Sequence, residues 1–348
     1  MRKLALELRE TLHVTVVGVL LFVSFAVAAC GGGAGGTGAF QGPPHGSPTP
    51  TPCQSCVAAE YLIPTANSYP YAIAAGPDGN LWFTEHGANK IGRITTGGSI
   101  TEFPIPTANS IPLGITAGPD GNVWFVEISS LRDNIARITT AGAITEFTAP
   151  SGSLPIAITA GPDGNLWFAE NLGGKIGRIT TAGAITEFAV PTSNPGLVDI
   201  TAGPDGNLWF VEDAVNKIGR ITTAGTVTEF DVPSPAAQPG RIAAGPDGNL
   251  WFTEGATSKI GRVTPAGAIT EFPVLTAGSI PLGITAGPGG NLWFVEEDGS
   301  IGKSTTTGTI TEFPGAPFGS IPIGITTGPD GNLWFTESSG NKIGKFTP

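Results

Sequence analysis

The chain has little charge and little cysteine. Only 13% of its 348 residues are charged, and its formal net charge is −11. Lys and Arg form no basic stripe, so nucleic acid is not an expected partner. Cys53 and Cys56 have no second Cys pair or nearby His that would complete a metal site. A small local disulfide or free thiols are therefore expected for this pair in an oxidising setting.

Long apolar runs are also missing, apart from residues 14–29 near the N-terminus. Basic residues precede this run, and it is too short for a confident membrane span, which predicts a signal peptide over residues 1–29. The run ends in "VAAC", which resembles the bacterial lipobox and implies lipidation of Cys30. The alternative is ordinary cleavage after Ala, with Cys30 incidental. Residues 30–58 are a Gly/Pro/Thr-rich tether.

These features predict an exported protein, either lipid-anchored in a bacterial cell envelope or secreted. Membrane contact is expected through the lipid alone.

What the chain does contain is a repeat built around tryptophan. Seven stretches resemble "GPDGNLWFTE", each Trp is followed by Phe, and a Glu follows three residues after each Trp. The spacing between tryptophans is 41 to 43 residues, for Trp82, Trp124, Trp167, Trp209, Trp251, Trp293 and Trp334. A fixed period of this length is typical of a repeat architecture.

Each repeat reads as four short strands. Residues 71–75, 81–84, 91–95 and 100–104 are apolar or β-prone and are bounded by Gly, Pro, Asn or Asp. A Gly-Pro-Asp-Gly turn joins the first two runs, and a Thr-Gly-Gly turn joins the last two. A four-stranded antiparallel unit of about 42 residues is the size of a propeller blade.

The ends of the chain predict a closed ring. The last repeat stops after its third strand, whereas residues 60–68, "EYLIPTANS", match "EFPIPTANS" at 102–110. An N-terminal strand at about 59–66 can thus complete the C-terminal blade and protect the sheet edges. The prediction is an all-β, seven-bladed β-propeller of four-stranded blades, forming one domain over residues 59–348.

Alternating strands sort the turns onto two faces. We call the face with the Gly-Pro-Asp-Gly turns the repeated face. The variable face carries the loops after the Trp-Phe strands and the connections between blades, and it is the better place for a site. The ring glutamates border it: Glu85, Glu127, Glu170, Glu212, Glu254, Glu296 and Glu337. A metal ring is one reading. Pairing with third-strand lysines such as Lys90, or with loop N–H groups, is the structural alternative.

Specific chemistry is expected where the repeat is broken. Tyr71 replaces an aliphatic residue, and Asp199 and Arg241 stand where other repeats have Gly or Ala. His86 is the only histidine in the propeller and is a weak candidate for an acid or base, although a solvated loop histidine is the simpler reading. The sixth repeat has the acidic pair Glu296 and Glu297, a weak candidate for a metal site. Tyr71, His86, Arg241 and Glu297 are the predicted ligand contacts.

The repeat also resembles a known family. Segments such as "ITAGPDGNLWF" and "NKIGRITTAG" are similar to the streptogramin B lyases (virginiamycin B lyase family) across all seven repeats. The resemblance implies a monomeric propeller that linearises a cyclic depsipeptide by Mg²⁺-assisted elimination at an ester bond. It further implies that Glu297 matches a metal-binding Glu and that Tyr71 matches a substrate-contacting Tyr.

The family's catalytic histidines have no counterparts here. The family places them directly after the Pro that opens a first strand, and those positions hold Tyr71, Leu113, Ile156, Val198, Gly240, Leu282 and Ile323. Ile280 or Ile321 stands in place of a metal-binding Glu. Since a fold does not imply a function, a binding module for a small molecule or protein is the leading hypothesis. A C–O lyase and a structural envelope protein are the alternatives.

Overall fold

The structure is a computed structural model, and it describes residues 58–130 and 132–348. The signal peptide, Cys30 and the pair Cys53 and Cys56 lie outside the described residues. The described part of the chain contains no helix with the length and hydrophobicity that a bilayer crossing requires.

Twenty-eight strands form seven sheets of four strands each. Strand β1 is Ala58–Leu62, and the others follow in chain order. Blades 1 to 3 comprise β2 (Pro70–Ala75), β3 (Leu81–Glu85), β4 (Lys90–Ile94), β5 (Ile100–Pro104); β6 (Ile111–Ala117), β7 (Val123–Ile128), β8 (Asn134–Ile138), β9 (Ile144–Thr148); and β10 (Pro155–Ala160), β11 (Leu166–Glu170), β12 (Lys175–Ile179), β13 (Ile185–Ala189).

The remaining blades continue the same order. Blades 4 to 7 comprise β14 (Leu197–Ala202), β15 (Leu208–Glu212), β16 (Lys217–Ile221), β17 (Val227–Asp231); β18 (Pro239–Ala244), β19 (Leu250–Glu254), β20 (Lys259–Val263), β21 (Ile269–Pro273); β22 (Pro281–Gly287), β23 (Asn291–Glu296), β24 (Ile301–Ser304), β25 (Ile310–Phe313); and β26 (Pro322–Thr327), β27 (Leu333–Glu337), β28 (Lys342–Phe346). Short 3₁₀ turns occupy Asp213–Val215 and Pro288–Gly290.

The ring closes as the sequence predicted. Strand β1 pairs antiparallel with β28, with Glu60 opposite Gly344 and Leu62 opposite Lys342. The first strands of successive blades contact one another all the way round, including β26 with β2, so they are the innermost strands. The seven-bladed propeller prediction is confirmed.

The hydrophobic core is divided among the interfaces between blades. In blade 4, Trp209 is fully buried and stacks on Phe230 with ring centroids 5.6 Å apart. The same Trp packs against Ile242 and Leu250 of blade 5. Because each blade completes the core of the next, identical packing residues recur in every repeat.

Six blades have a glycine under the buried Phe of the second strand, and blade 2 has Ala136 there. A Cβ on Gly177 of β12 would lie 2.1 Å from Cζ of Phe168 on the neighbouring strand. The aromatic ring therefore lies directly over the glycine, and alanine here would displace it.

Candidate functional site

Every innermost strand contains a β-bulge near its start. In blade 1, Pro70 pairs with Glu85 and Ile73 with Phe83, so β2 has one extra residue in this stretch. The same offset occurs in β18 of blade 5. A bulge bends a strand and redirects its side chains. Tyr71 and Arg241 lie within these two bulges.

Arg241 and Tyr71 contact each other across the ring. The guanidinium carbon of Arg241 is 5.0 Å from the centroid of the Tyr71 ring, a cation–π distance. The two residues belong to the innermost strands of blades 5 and 1, which are not neighbours, so their contact spans the central axis. Tyr71 is only 5% exposed, whereas the Arg241 side chain is 21% exposed. Ligand contact is therefore more accessible to Arg241 than to Tyr71.

Asp199 of blade 4 is the second neighbour of Arg241. Its Oδ1 is 3.8 Å from Nη1 of Arg241, and its Oδ2 accepts a hydrogen bond from the Ile242 N–H at 2.9 Å. Burial raises the pKa of Asp199, although Arg241 acts in the opposite direction. Burial also disfavours the charge on Arg241, but Tyr71 and Asp199 outweigh it and raise the pKa of this guanidinium.

His86 lies on the other side of Tyr71, with ring centroids 6.4 Å apart in an edge-on arrangement. Its Nδ1 is 2.8 Å from the carbonyl oxygen of Tyr69, which can only accept a hydrogen bond. The proton is thus assigned to Nδ1, and Nε2 carries the lone pair. Burial lowers the pKa of His86, so the imidazole is neutral at pH 7. Tyr71, His86, Asp199 and Arg241 together are called the axial site.

Glu297 is on the variable face but in blade 6. It directly follows a ring glutamate, as His86 does in blade 1, and its N–H donates to the Ile280 carbonyl at 3.0 Å. Of the four predicted contacts, the structure joins Tyr71, His86 and Arg241 through direct neighbours. It places Glu297 on a separate blade.

The ring glutamates are fully buried and poorly supplied with partners. In blades 1, 3, 4 and 7 neither carboxyl oxygen has a hydrogen bond among the described residues. Burial, followed by the nearby fourth-strand glutamate, raises the pKa of Glu85 to about 8 and that of Glu212 to about 7. Near neutral pH, Glu85 is therefore mostly protonated and Glu212 is about half protonated.

The third-strand lysines do not form the expected ion pairs with the ring glutamates. They bind carboxylates of the outermost strands instead, in the pairs Lys90–Glu102, Lys175–Glu187, Lys217–Glu229, Lys259–Glu271 and Lys342–Glu60. A lysine on the third strand lies between two acidic strands, and burial disfavours a charge on the ring glutamate of the inner one. The lysine alternative is thus wrong.

The described residues offer no obvious metal centre. They contain no group of three or more His, Cys, Asp or Glu side chains placed to share an ion. Glu296 is buried, accepts a hydrogen bond from the Ser279 hydroxyl, and has its pKa raised to about 8, first by burial. A protonated carboxyl is a poor ligand for Mg²⁺. Mg²⁺ binding by Glu296 and Glu297 stays a prediction from the resemblance alone.

Four aliphatic residues of the first strands are buried or pack against the cores between blades. Leu113 and Ile156 are buried, with 3% and 2% exposure. Val198 and Leu282 pack against the cores between blades.

The sequence marks Asp199 as a departure from the repeat, but Asp199 is not among the four predicted ligand contacts. The sequence does indicate a contact between Asp199 and Arg241, because the two residues are 42 positions apart, which equals the spacing between Trp209 and Trp251. One repeat length places two residues at the same position of neighbouring blades. Opposite charges at that spacing predict an ion pair.

Comparison with known proteins gives the family. The model of the virginiamycin B lyase family matches residues 54–154 and 132–348. A streptogramin B lyase structure is 37% identical, with a TM-score of 0.79, and the match covers 84% of this chain and 97% of that chain.

Virginiamycin B lyase from Staphylococcus aureus is 41% identical, with a TM-score of 0.79 and coverage of 84% of this chain and 99% of that chain. A catalytically inactive His-to-Ala variant of the S. aureus enzyme, with quinupristin, is similar at 40% identity, a TM-score of 0.79 and the same coverage. The chain belongs to the virginiamycin B lyase family.

Proposed function

We propose that this protein is a binding module of the lyase family that takes a compact organic ligand at the axial site, from the variable face. One observation carries the proposal. Arg241 contacts Tyr71 and Asp199 on the innermost strands of blades 1 and 4, and His86, directly after β3, packs against Tyr71. Structural residues recur in every blade, whereas these four do not, and Arg241 with His86 offers both a donor and an acceptor.

Quinupristin is the first ligand to test, since it is the compound named with the S. aureus relative. Isothermal titration of the full chain should show binding, and Arg241→Met or His86→Gln should weaken it at least about tenfold, which is about 1.4 kcal/mol. Tyr71→Ala should weaken binding indirectly, because Tyr71 supports the guanidinium. Glu297→Gln tests whether the ligand extends to blade 6. Unchanged affinity in all four variants would remove this site assignment.

A lyase is the second candidate function. It is favoured by His86, which is neutral and hydrogen-bonds through Nδ1. Its Nε2 lone pair has no hydrogen bond among the described residues and could accept a proton next to a carbonyl. Mass spectrometry of quinupristin incubated with the chain and Mg²⁺ separates the candidates. A linear isomer of unchanged mass that is lost in His86→Gln supports a lyase. Bound but intact quinupristin supports a binding module.

The structural envelope protein is the outcome left if neither binding nor conversion is found. Export and lipid anchoring through Cys30 are part of the proposal and rest on the sequence of residues 1–30 alone. Labelling with a fatty-acid analogue should mark the native chain and not Cys30→Ala. Equal labelling of the two would exclude the anchor.

A further inference from the structure

Arg241 is exceptional at its position in the innermost strands. The corresponding residues of the other blades are small or acidic: Ala72, Gly114, Ala157, Asp199, Gly283 and Gly324. Arg241 is the single cation of this set. Its backbone is fixed, since its N–H donates to Thr253 Oγ1 at 3.0 Å, so the side chain starts from a defined point.

The other propeller arginines stacked on aromatic rings have their donors engaged in holding blades together. Arg220 lies 5.6 Å from the Trp209 ring, and its Nη1 donates to the Pro265 carbonyl of the next blade at 2.8 Å. Four more arginines repeat this pattern: Arg93, Arg137, Arg178 and Arg262. They have a structural task on the repeated face.

Arg241 has no such carbonyl partner among the described residues. Its guanidinium neighbours are Tyr71, whose ring centroid is 5.0 Å away and whose side chain also hydrogen-bonds to Arg241, and Asp199 Oδ1 at 3.8 Å, which is longer than a hydrogen bond. Two neighbours at these distances cannot satisfy the five N–H groups of a guanidinium. The Arg241 side chain is therefore held in place, and some of its guanidinium N–H groups can still donate a hydrogen bond to a ligand.

Asp199 neutralises Arg241 incompletely. Its Oδ1 is 3.8 Å from Nη1 of Arg241, its second oxygen is engaged by the Ile242 N–H, and burial raises its pKa. The guanidinium is partly buried, where a charge-assisted hydrogen bond is stronger than in water. A planar acceptor of opposite charge would complete this environment.

We propose that Arg241 binds the carboxylate of the ligand that enters the axial site. The inference rests on the proposed function and adds its chemical class: a monoanionic organic acid. The guanidinium fork matches a carboxylate through two parallel hydrogen bonds. A single guanidinium, already shared with Asp199, suits one negative charge better than a phosphate dianion.

The test compares N-acetyl-L-phenylalanine with its C-terminal amide, which has nearly the same shape and no charge. Titrations of the full chain are followed by NMR of the arginine side-chain N–H groups. The acid should bind at least about tenfold more tightly than the amide, and it should shift the Arg241 signal. Arg241→Met should bind both compounds equally weakly. Arg132→Met is the matched control, a variable-face arginine that is 54% exposed and outside the axial site; it should keep the tenfold preference.

A variant that is expected to gain affinity distinguishes the loss of a ligand contact from a folding defect. Asp199→Asn keeps an acceptor for the Ile242 N–H and removes the competing charge, so it should bind the acid about three- to tenfold more tightly. Equal affinity of the native chain for acid and amide would overturn the inference but leave the proposed function standing. A tenfold preference that survives in Arg241→Met would overturn the role of Arg241. Failure of both compounds to bind would also overturn the inference, and the separate quinupristin titration then decides the proposed function.

Discussion

The two faces of the ring use carboxylic acids in opposite ways. On the repeated face, Asp78 accepts hydrogen bonds from Trp82 Nε1 at 3.0 Å and from Asn80 Nδ2 at 2.8 Å. On the variable face, both carboxyl oxygens of Glu85 are buried without a hydrogen-bond partner among the described residues. Burial raises the pKa of both groups, but the donors around Asp78 outweigh it and lower the pKa of Asp78.

The difference shows that burial and the supply of donors together decide the charge state, since Glu85 is fully buried without a donor whereas Asp78 is partly buried and has several. Five further aspartates accept a hydrogen bond from a tryptophan indole N–H in the same way as Asp78: Asp120, Asp163, Asp205, Asp247 and Asp330. Blade 6 has Gly289 instead, and Trp293 Nε1 donates to the Pro288 carbonyl. The repeated face is therefore a set of satisfied turns, and the variable face keeps buried groups that can change protonation.

Removing an aspartate from each face of blade 4 should give the largest contrast. Asp205→Ala should lower the free energy of unfolding by about 2–3 kcal/mol, because it leaves the buried Trp209 indole N–H without its acceptor. Urea denaturation at pH 7 measures the loss. Asp213→Ala is the matched control, since burial raises the pKa of Asp213. Its effect should stay within about 0.5 kcal/mol, and equal losses in both variants would contradict the comparison.

The ring glutamates should make the protein sensitive to alkali. A folded-state pKa above the unfolded value means that the folded state holds the proton more tightly. That stabilisation is complete below pH of about 4, and it is lost as pH rises through about 7 to 8. The aspartates act in reverse, because their pKa is lowered and their contribution disappears as pH falls below about 4.

Glu85→Gln isolates one member of the ring. Between pH 6 and pH 9 this variant should lose about 1–2 kcal/mol less stability than the native chain, because glutamine cannot ionise. Glu127→Gln should show a smaller difference, since Asn134 Nδ2 already donates to Glu127 at 3.1 Å and the pKa of Glu127 is raised only to about 7. Guanidinium denaturation at the two pH values gives both numbers. A native stability that does not change over this range would mean that the ring is ionised.

The repeat spacing determines which features of the fold and of the axial site can be predicted from the sequence. A period of 42 residues predicts which positions become neighbours in successive blades, so it predicts the blades, the two faces and the closing strand. It carries no information on contacts between distant blades. The contact between Arg241 and Tyr71 spans the axis, and it depends on the bulges that redirect both side chains.

The choice between two equivalent partners was also beyond the sequence. Lys90 is directly opposite Glu85 on one side and near Glu102 on the other. Only the burial of Glu85 and the exposure of the outer strand decide that Glu102 takes the ion pair, because desolvation disfavours charge on Glu85. Burial of this kind depends on the loops that cover the variable face, and those loops are where the repeats differ.

The smallest expected effect comes from replacing Thr253, which connects the scaffold to the axial site. Thr253 Oγ1 accepts from the Arg241 N–H and donates to the Leu282 carbonyl of blade 6 at 3.0 Å. Thr253→Val should cost about 1 kcal/mol of stability, as expected for a buried hydrogen-bonding group. It should also reduce the preference for acid over amide, because the Arg241 backbone is no longer held.

Thr84→Val removes the equivalent bridge in blade 1, between the Ala72 N–H and the Leu113 carbonyl. It should cost the same stability and reduce the preference less than Thr253→Val does, since it leaves the backbone of Arg241 intact and acts on the guanidinium only through Tyr71. Thermal unfolding and the paired titrations measure the two effects separately. If both variants lost the preference equally, the discrimination would depend on the general rigidity of the ring. A greater loss in Thr253→Val would show instead that one bulge orients the guanidinium.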